Sequence, residues 1–459
     1  MNIFNFSDES NTEKKYPYKV LIYPNITYAK NLSQDSFIVV INNIITHLAN
    51  IRSDIHWTIL LPEKLDIFTN KNNIEQILYS LPTYPNQMRC HFDSTKFLEA
   101  IDWRNRDFDV VYSNLPEHTL KLKNILFNTT NIHPEFIGYT HWTEFPEITE
   151  YSTSLIDHNF LGLLEMNKCG INTLGQKKLI LKHALKHFNA ETVEKLSEIV
   201  VPQYLGWETP TYEKRERQTK TIAFNHRPHE YKNYPWFLNQ MDIIFSELGD
   251  VFNVWVPLAE KADRKYIIVG NNHNRIEYLS NLSSCYIGVC GKQNYSGWSI
   301  SATDGLSVGV PYLFSDDDYY HELAGDSGIY YSTDEDFREK VKKFITETDG
   351  ENRKNWSRMS LERFEESKWE IAIDQFNKMF QTTFDNLPQL RSNTDSYVKI
   401  VNFIKQNLSV SKREILDYMG WGVRIVFNSY RNRLRDEPGI VFTSDRYEYD
   451  DAKVVDGTS

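Results

Sequence analysis

Several things are scarce in this sequence, and each scarcity closes off a class. It has four cysteines, Cys90, Cys169, Cys285 and Cys290, none in a CxxC or Cys/His ligand spacing. That excludes a zinc ribbon and a disulfide-stapled scaffold, and it fits a reducing compartment. No apolar run approaches the roughly 20 residues needed to cross a bilayer. The opening "MNIFNFSDESNTEKKYPYKV" lacks the apolar stretch of a secretory signal, so a cytoplasmic location is expected and no membrane partner. Positive charge is also short. Lys and Arg number 51 against 62 Asp and Glu, a net charge of −11. The surface as a whole therefore repels polyanions, and any contact with nucleic acid needs a local basic patch. Neither an internal repeat nor a low-complexity tract is present.

What remains is a chain of 459 residues with 41% hydrophobic and 14% aromatic content, enough for two or three packed domains. Short apolar runs alternate with helical periodicity: "YKVLIYP", the helix "SQDSFIVVINNIITHLANI", "IHWTILLP", "FDVVYSN", "EFIGYTHW", "KCGINTLG", the helix "QKKLILKHALKHF", and "EIVVPQYLGW". Strands alternating with helices imply a parallel, doubly wound sheet. "ETPTYEKRERQTK" is charged, lacks aliphatic residues and reads as a linker. The alternation then restarts with "TIAFNH" and runs through "FNVWVPL", "KYIIVG", "CYIGVC", "PYLFS" and "GIYY", closed by two helices. A third segment reads helix, helix, helix, short ribbon, the order of a winged helix-turn-helix. The expected division is 1–207, 208–390 with a closing helix at 366–384 that crosses back to the first unit, and 391–459.

One stretch of the second unit, "YSGWSISATDGLSVGVPYLF", packs small and polar residues ahead of a tight Gly-Val-Pro turn and a buried strand. Ser296, Gly297, Trp298 and Ser299 would form a loop and first helical turn whose free amides suit an anion. Asp304, one turn further on, has a carboxylate that can accept hydrogen bonds from ribose hydroxyls. Read by itself, the stretch is equally a glycine turn with a helix cap. "TIAFNHRPHEYKN" adds Arg227 and Lys232 just past the first strand of the same unit, two cations able to neutralise a pyrophosphate.

These features resemble the retaining GT-B glycosyltransferases, in particular the glycogen-synthase-like branch that includes family four. Arg227 and Lys232 match its early Arg and Lys. Asp304 with "GLSVGVP" matches the second acid of its Glu-x7-Glu pattern and the strand after it. The first acid falls on Ser296, a departure. The resemblance implies an α/β fold of two facing Rossmann-like domains, here with a small C-terminal winged-helix-like domain. It also implies a nucleotide-sugar donor, UDP-sugar by analogy, no essential metal, and catalysis by Arg227, Lys232 and His141. In "GYTHWTEFPE", His141 matches a family histidine that faces the donor sugar, and Glu144 follows it. Alone, such a histidine is more often a structural residue. Asn114, Glu144 and Lys30 are acceptor-side candidates. Lys30 or Ser36 stands where the family has a Gly-rich loop. Asp316 to Asp318 follow a strand and read as a solvated loop rather than a metal site.

The third segment changes the acceptor question. Between Lys399 and Arg435, only Glu414 and Asp417 oppose Lys405, Lys412, Arg413, Arg424, Arg431 and Arg433. In "FNSYRNRLR", Asn428, Arg431 and Arg435 share a helical face, and such side chains contact bases and phosphates. Lys412, Arg413, Asn428, Arg431 and Arg435 are therefore DNA-binding candidates, with double-stranded DNA as expected partner. Together the parts resemble bacteriophage DNA glucosyltransferases, which implies transfer to a hydroxylated or hydroxymethylated pyrimidine. Two alternatives stay open: a glycan, lipid or protein acceptor with a tail that contacts protein, and a non-catalytic DNA-binding nucleotide sensor.

Overall fold

The computed structural model describes residues 16–24, 36–68, 73–79, 92–103, 106–114, 116–130, 132–140, 153–270, 272–292, 298–348, 350–390, 392–418, 434, 437, 440–443 and 446–449. Two parallel sheets organise it. The first holds β1 (Tyr18–Tyr23), β2 (Ile55–Leu61), β3 (Ile74–Leu78), β4 (Val110–Ser113), β5 (Glu135–Thr140), β6 (Lys168–Ile171) and β7 (Val200–Pro202), in the order β3-β2-β1-β4-β5-β6-β7. The second holds β8 (Lys220–Ala223), β9 (Phe252–Val256), β10 (Ile267–Val269), β11 (Ile287–Cys290), β12 (Tyr312–Ser315) and β13 (Gly328–Tyr331), in the order β10-β9-β8-β11-β12-β13. The two Rossmann-like domains expected from the alternation are present.

The strands form where the sequence is continuously apolar because both faces are covered by helices. Trp57, Ile59 and Leu61 of β2 face one core, and Leu60 faces another across the sheet. The helix Ser36–Ile51 returns Ile38, Ile41, Ile44, Ile45 and Leu48 to the first of these cores, a stripe of helical period.

That same core receives a helix from far along the chain. Trp369–Leu390 sets Trp369, Ile373, Phe376, Phe380, Phe384 and Leu387 against the first sheet. Phe384 stacks on Tyr18 at 4.1 Å and Phe380 meets Trp57 edge-on at 5.3 Å. The crossing is tight at Gly206, where any side chain would collide with Trp369. There the Trp207 amide donates to the Ser367 carbonyl at 2.8 Å. The segment read as a linker is docked rather than loose. The Glu213 amide donates to Ser280 Oγ at 2.9 Å, and Arg217 Nε to Ser284 Oγ at 2.7 Å.

The third segment has helices Ser392–Asn407 and Lys412–Tyr418 around β14 (Ser409–Ser411), then β15 (Ile440–Thr443) and β16 (Arg446–Tyr449). The strand order is β14-β16-β15, antiparallel, over a core that includes Ile400, Ile404, Val410, Ile415, Leu434 and Tyr447. β14 is absent from the sequence reading, because three residues give no period. Ser411 and Glu414 form a reciprocal cap: the Ser411 amide donates to Glu414 at 2.6 Å and the Glu414 amide to Ser411 Oγ at 3.2 Å. Among the described residues, no helix is long and apolar enough to cross a membrane.

Candidate functional site

In an open parallel sheet the loops diverge where the strand order reverses, leaving a crevice beyond the carboxyl ends. That point falls between β8 and β11 in the second sheet, and between β1 and β4 in the first.

β8 continues through Phe224, Asn225 and His226 to Arg227, which is exposed. Asn225 ties this strand end to the helix Ile300–Ser307. Its Nδ2 donates to the Ser301 carbonyl at 2.7 Å and to the Tyr278 hydroxyl at 2.8 Å, and its Oδ1 accepts from the Tyr312 hydroxyl at 2.8 Å. His226 Nε2 lies 3.0 Å from Cys290 Sγ at the end of β11. Burial, helped by the Lys232 charge, pushes the imidazole down to about 3, and burial pushes the Cys290 thiol up to about 12. Both groups are therefore neutral and form a floor rather than an acid–base pair.

Above that floor stands Lys232. It ends the short turn Glu230–Lys232, and its carbonyl packs on Gly291, just past β11. Burial, followed by repulsion from Arg227, lowers its ammonium to about 8, with Cys290 opposing. Two cations in mutual range at a strand end suit a diphosphate, which relieves their repulsion. The helix Ile300–Ser307 begins on the other side of Cys290, whose Sγ lies 3.9 Å from Ser299 Oγ and within range of the Lys232 charge. Ser299 caps it, accepting from the Ala302 amide at 3.2 Å, and its positive end lies at the same edge. Gly309, at φ 75°, turns the chain from this helix into β12 as the "GVP" signature requires.

Asp304 is placed differently from the sequence reading. Its carboxylate is only 8% exposed and is gripped by Arg275, with Nη1 at 2.7 Å and Nη2 at 2.6 Å. Burial works against the guanidinium charge, but the Asp304 hydrogen bonds and charge outweigh it and hold Arg275 above its ordinary range. Glu208 lies 3.5 Å from the same guanidinium and accepts from Asn43 of the first domain at 3.0 Å. Arg275 was not singled out by sequence. The available signal was a cation at the first position of a helix, where the dipole disfavours it.

Trp298 is a wedge between domains: it packs against cores of both and lies 5.9 Å from the Tyr204 ring. Glu322, also missed, is an interdomain clasp. It accepts from the Leu174 and Gly175 amides at 2.6 and 2.7 Å, the first turn of Leu174–Ala184, and from the Tyr204 hydroxyl at 3.0 Å. Asn114 is buried at the end of β4, beside the reversal point of the first sheet. Asp316 pairs with His321 at 2.7 Å, and Asp317 accepts from Ser315 at 2.6 Å. Arg413 is exposed on Lys412–Tyr418. His141, Glu144, Lys30, Ser296, Gly297, Asn428, Arg431 and Arg435 lie outside the described residues, as does the Lys412 side chain.

No family model matches the chain, and no curated protein matches it by sequence. Solved structures do match in fold. Sucrose-phosphate synthase from Thermosynechococcus elongatus superposes with a TM-score of 0.62 at 10% identity, over 80% of this chain and 99% of that one. The N-terminal domain of Candida albicans trehalose-6-phosphate phosphatase gives 0.60 at 9%, over 82% and 99%. A trehalose-6-phosphate protein from E. coli, bound with UDP-2-fluoro glucose, gives 0.58 at 10%, over 79% and 98%. The fold is thus the two-domain α/β architecture of these proteins, the GT-B arrangement expected from the resemblance.

Proposed function

We propose that the chain is a glycosyltransferase that uses a nucleotide-sugar, with UDP-sugar as donor. The observation that carries this is the convergence of Arg227, Lys232 and the start of Ile300–Ser307 at the strand-order reversal of the second sheet. The likeness of fold to a protein bound with UDP-2-fluoro glucose supports it. The bond from the anomeric carbon to the diphosphate breaks while an acceptor oxygen bonds to that carbon. Arg227 and Lys232 take up the charge that gathers on the departing diphosphate. The acceptor proton leaves with a diphosphate oxygen, as same-face, retaining transfer requires. His141 and the acceptor-side set Asn114, Glu144 and Lys30 belong to this reading as residues that hold the two sugars' hydroxyls or the acceptor.

The acceptor we favour is a hydroxymethylated pyrimidine in DNA. The order helix, strand, helix, then ribbon among the described residues, with β14 paired to β16, supports the winged-helix reading, as does the basic stretch from Lys399 to Arg435 on an acidic chain. Glu414, one of two acids between Lys399 and Arg435, is engaged with Ser411 and Arg446, which reduces its opposition to a phosphate backbone, whereas the acidic ribbon "SDRYEYDD" favours a tail that contacts protein. The target base leaves the stack to reach the cleft, while Lys412, Arg413, Asn428, Arg431 and Arg435 hold the duplex. A sugar or sugar-phosphate acceptor is the second reading, suggested by the names of the matched synthases. Hydroxymethylated DNA, and separately a panel of sugars and sugar phosphates, are incubated with the full chain and several nucleotide-sugars. Mass spectrometry of the digested nucleosides should show a hexose or pentose adduct. An adduct only on free sugars transfers the proposal to the second reading, and no consumption of any donor removes the enzyme assignment.

A further inference from the structure

The carboxylate expected to read the donor's ribose is already engaged and largely covered. Both Asp304 oxygens accept from the Arg275 guanidinium, and the Asp304 side chain is 10% exposed against 47% for Arg275. The Tyr278 hydroxyl adds a hydrogen bond to the same carboxylate and itself accepts from Asn225. The group presented to solvent at this end of the site is thus the guanidinium, with Asp304 behind it.

From this geometry we infer that Arg275, anchored by Asp304, is the side chain that reads the nucleoside of the donor. The inference rests on the proposed nucleotide-sugar reading and deepens it. Charge decides which part of the donor is read. Arg275 is held by Asp304 at 2.6 Å and approached by Glu208 at 3.5 Å, so one cation faces two carboxylates. Among the described residues, the charged groups that act on Arg275 are these two acids, which leaves no surplus positive charge for phosphate. The repulsion that Lys232 feels comes from Arg227, which marks the diphosphate end as separate. What the guanidinium offers is its remaining N–H donors, matched to uncharged oxygens: the ribose 2′-hydroxyl or the C4 carbonyl of the base. Its placement at a helix N-terminus, against the dipole, is explained by this use and by the two acids that sustain it. Asp304 is then a positioning residue.

The test uses calorimetric binding of UDP, 2′-deoxy-UDP and CDP to the full chain. The wild type should prefer UDP over at least one of the others by about tenfold, the worth of a hydrogen bond to a charged donor. Loss against 2′-deoxy-UDP assigns the ribose hydroxyl, and loss against CDP assigns the base carbonyl. Arg275→Gln should abolish that preference while both nucleotides still bind, which a misfolded variant would not do. Removing Arg275 alone strands a buried carboxylate, so the double variant Arg275→Ala with Asp304→Ala is the second probe and should also bind without preference. Tighter UDP binding in Arg275→Gln, or a preference retained in both variants, overturns the inference and returns the ribose to Asp304. A wild type that binds UDP without preference also overturns it. A wild type that binds no nucleotide overturns the nucleotide-sugar reading itself.

Discussion

Lys232 gives the sharpest quantitative test of the site. Its ammonium is lowered from an ordinary 10.5 to about 8, first by burial and then by Arg227. The folded chain therefore holds the neutral form more readily than the unfolded chain does. Below pH 8 both states are protonated, and the native state bears the full cost of the charge, up to about 3.5 kcal/mol at ~1.4 kcal/mol per tenfold for this half-buried side chain. Between about 8 and 10.5 the unfolded chain binds more protons, so stability rises with pH across that window. Lys232→Met removes the charge and should raise the stability of the free protein near neutral pH by up to that amount. It should also weaken binding of a nucleotide-sugar at least tenfold, because one of the two cations is gone. If donor binding needs the charged form, wild-type affinity for UDP-glucose should fall about tenfold from pH 7 to pH 9, as the charged fraction drops from roughly 0.9 to roughly 0.1. The ligand's diphosphate does not titrate in that range. Thermal unfolding with and without UDP-glucose, and calorimetry at both pH values, read the two effects. A variant that is no more stable and binds equally well would refute both the burial of this charge and its role.

The remaining predictions concern support of the site. Gly305→Ala would drive a methyl into the Tyr312 ring, whose hydroxyl helps tie the helix Ile300–Ser307 to Asn225. A cost of about 1–3 kcal/mol is expected in denaturant unfolding, as for other overpacked cores. Glu322→Gln weakens the clasp on Leu174 and Gly175, and should lower stability by about 1 kcal/mol and broaden the interdomain arrangement seen by small-angle scattering. Unchanged scattering would show the clasp to be incidental. Arg413→Glu should reduce retention of duplex DNA by the full chain and shallow its dependence on salt by about two contacts' worth of charge. Retention unaltered at every salt concentration removes this residue from the interface.

Some of this architecture was readable locally. "YKVLIYP", "IHWTILLP", "FDVVYSN" and "PYLFS" are apolar without alternation because their strands are covered on both faces, and covered strands carry their own signal. Other elements were silent for equally physical reasons. β3 is an edge strand of half-buried residues. The helix Glu351–Glu366 buries only Ser360 and Phe364, so no apolar stripe marks it. The Thr153–Leu164 and Ala190–Ile199 helices were also passed over, the second a short amphipathic segment between stronger signals. In the site, Arg227, Lys232 and the capped turn at Ser299 were legible because each sits next to a recognisable strand end. The Arg275 grip on Asp304 spans 29 residues, and the Glu322 clasp on Leu174 spans 148, so nothing in either neighbourhood announces the partner.

By itself, then, the sequence determined which segments are strands in a doubly covered sheet, where the chain restarts as a second such unit, and which cations stand at strand ends. Those properties are written in nearest neighbours and short periods. Only the tertiary structure decided that Asp304 is held by Arg275, that Trp298 wedges two domains, and that Phe384 of the crossing helix stacks on Tyr18. Each of these is a contact between residues distant in the chain, and burial, charge pairing and steric fit at such contacts exist only after the sheets have set the distances.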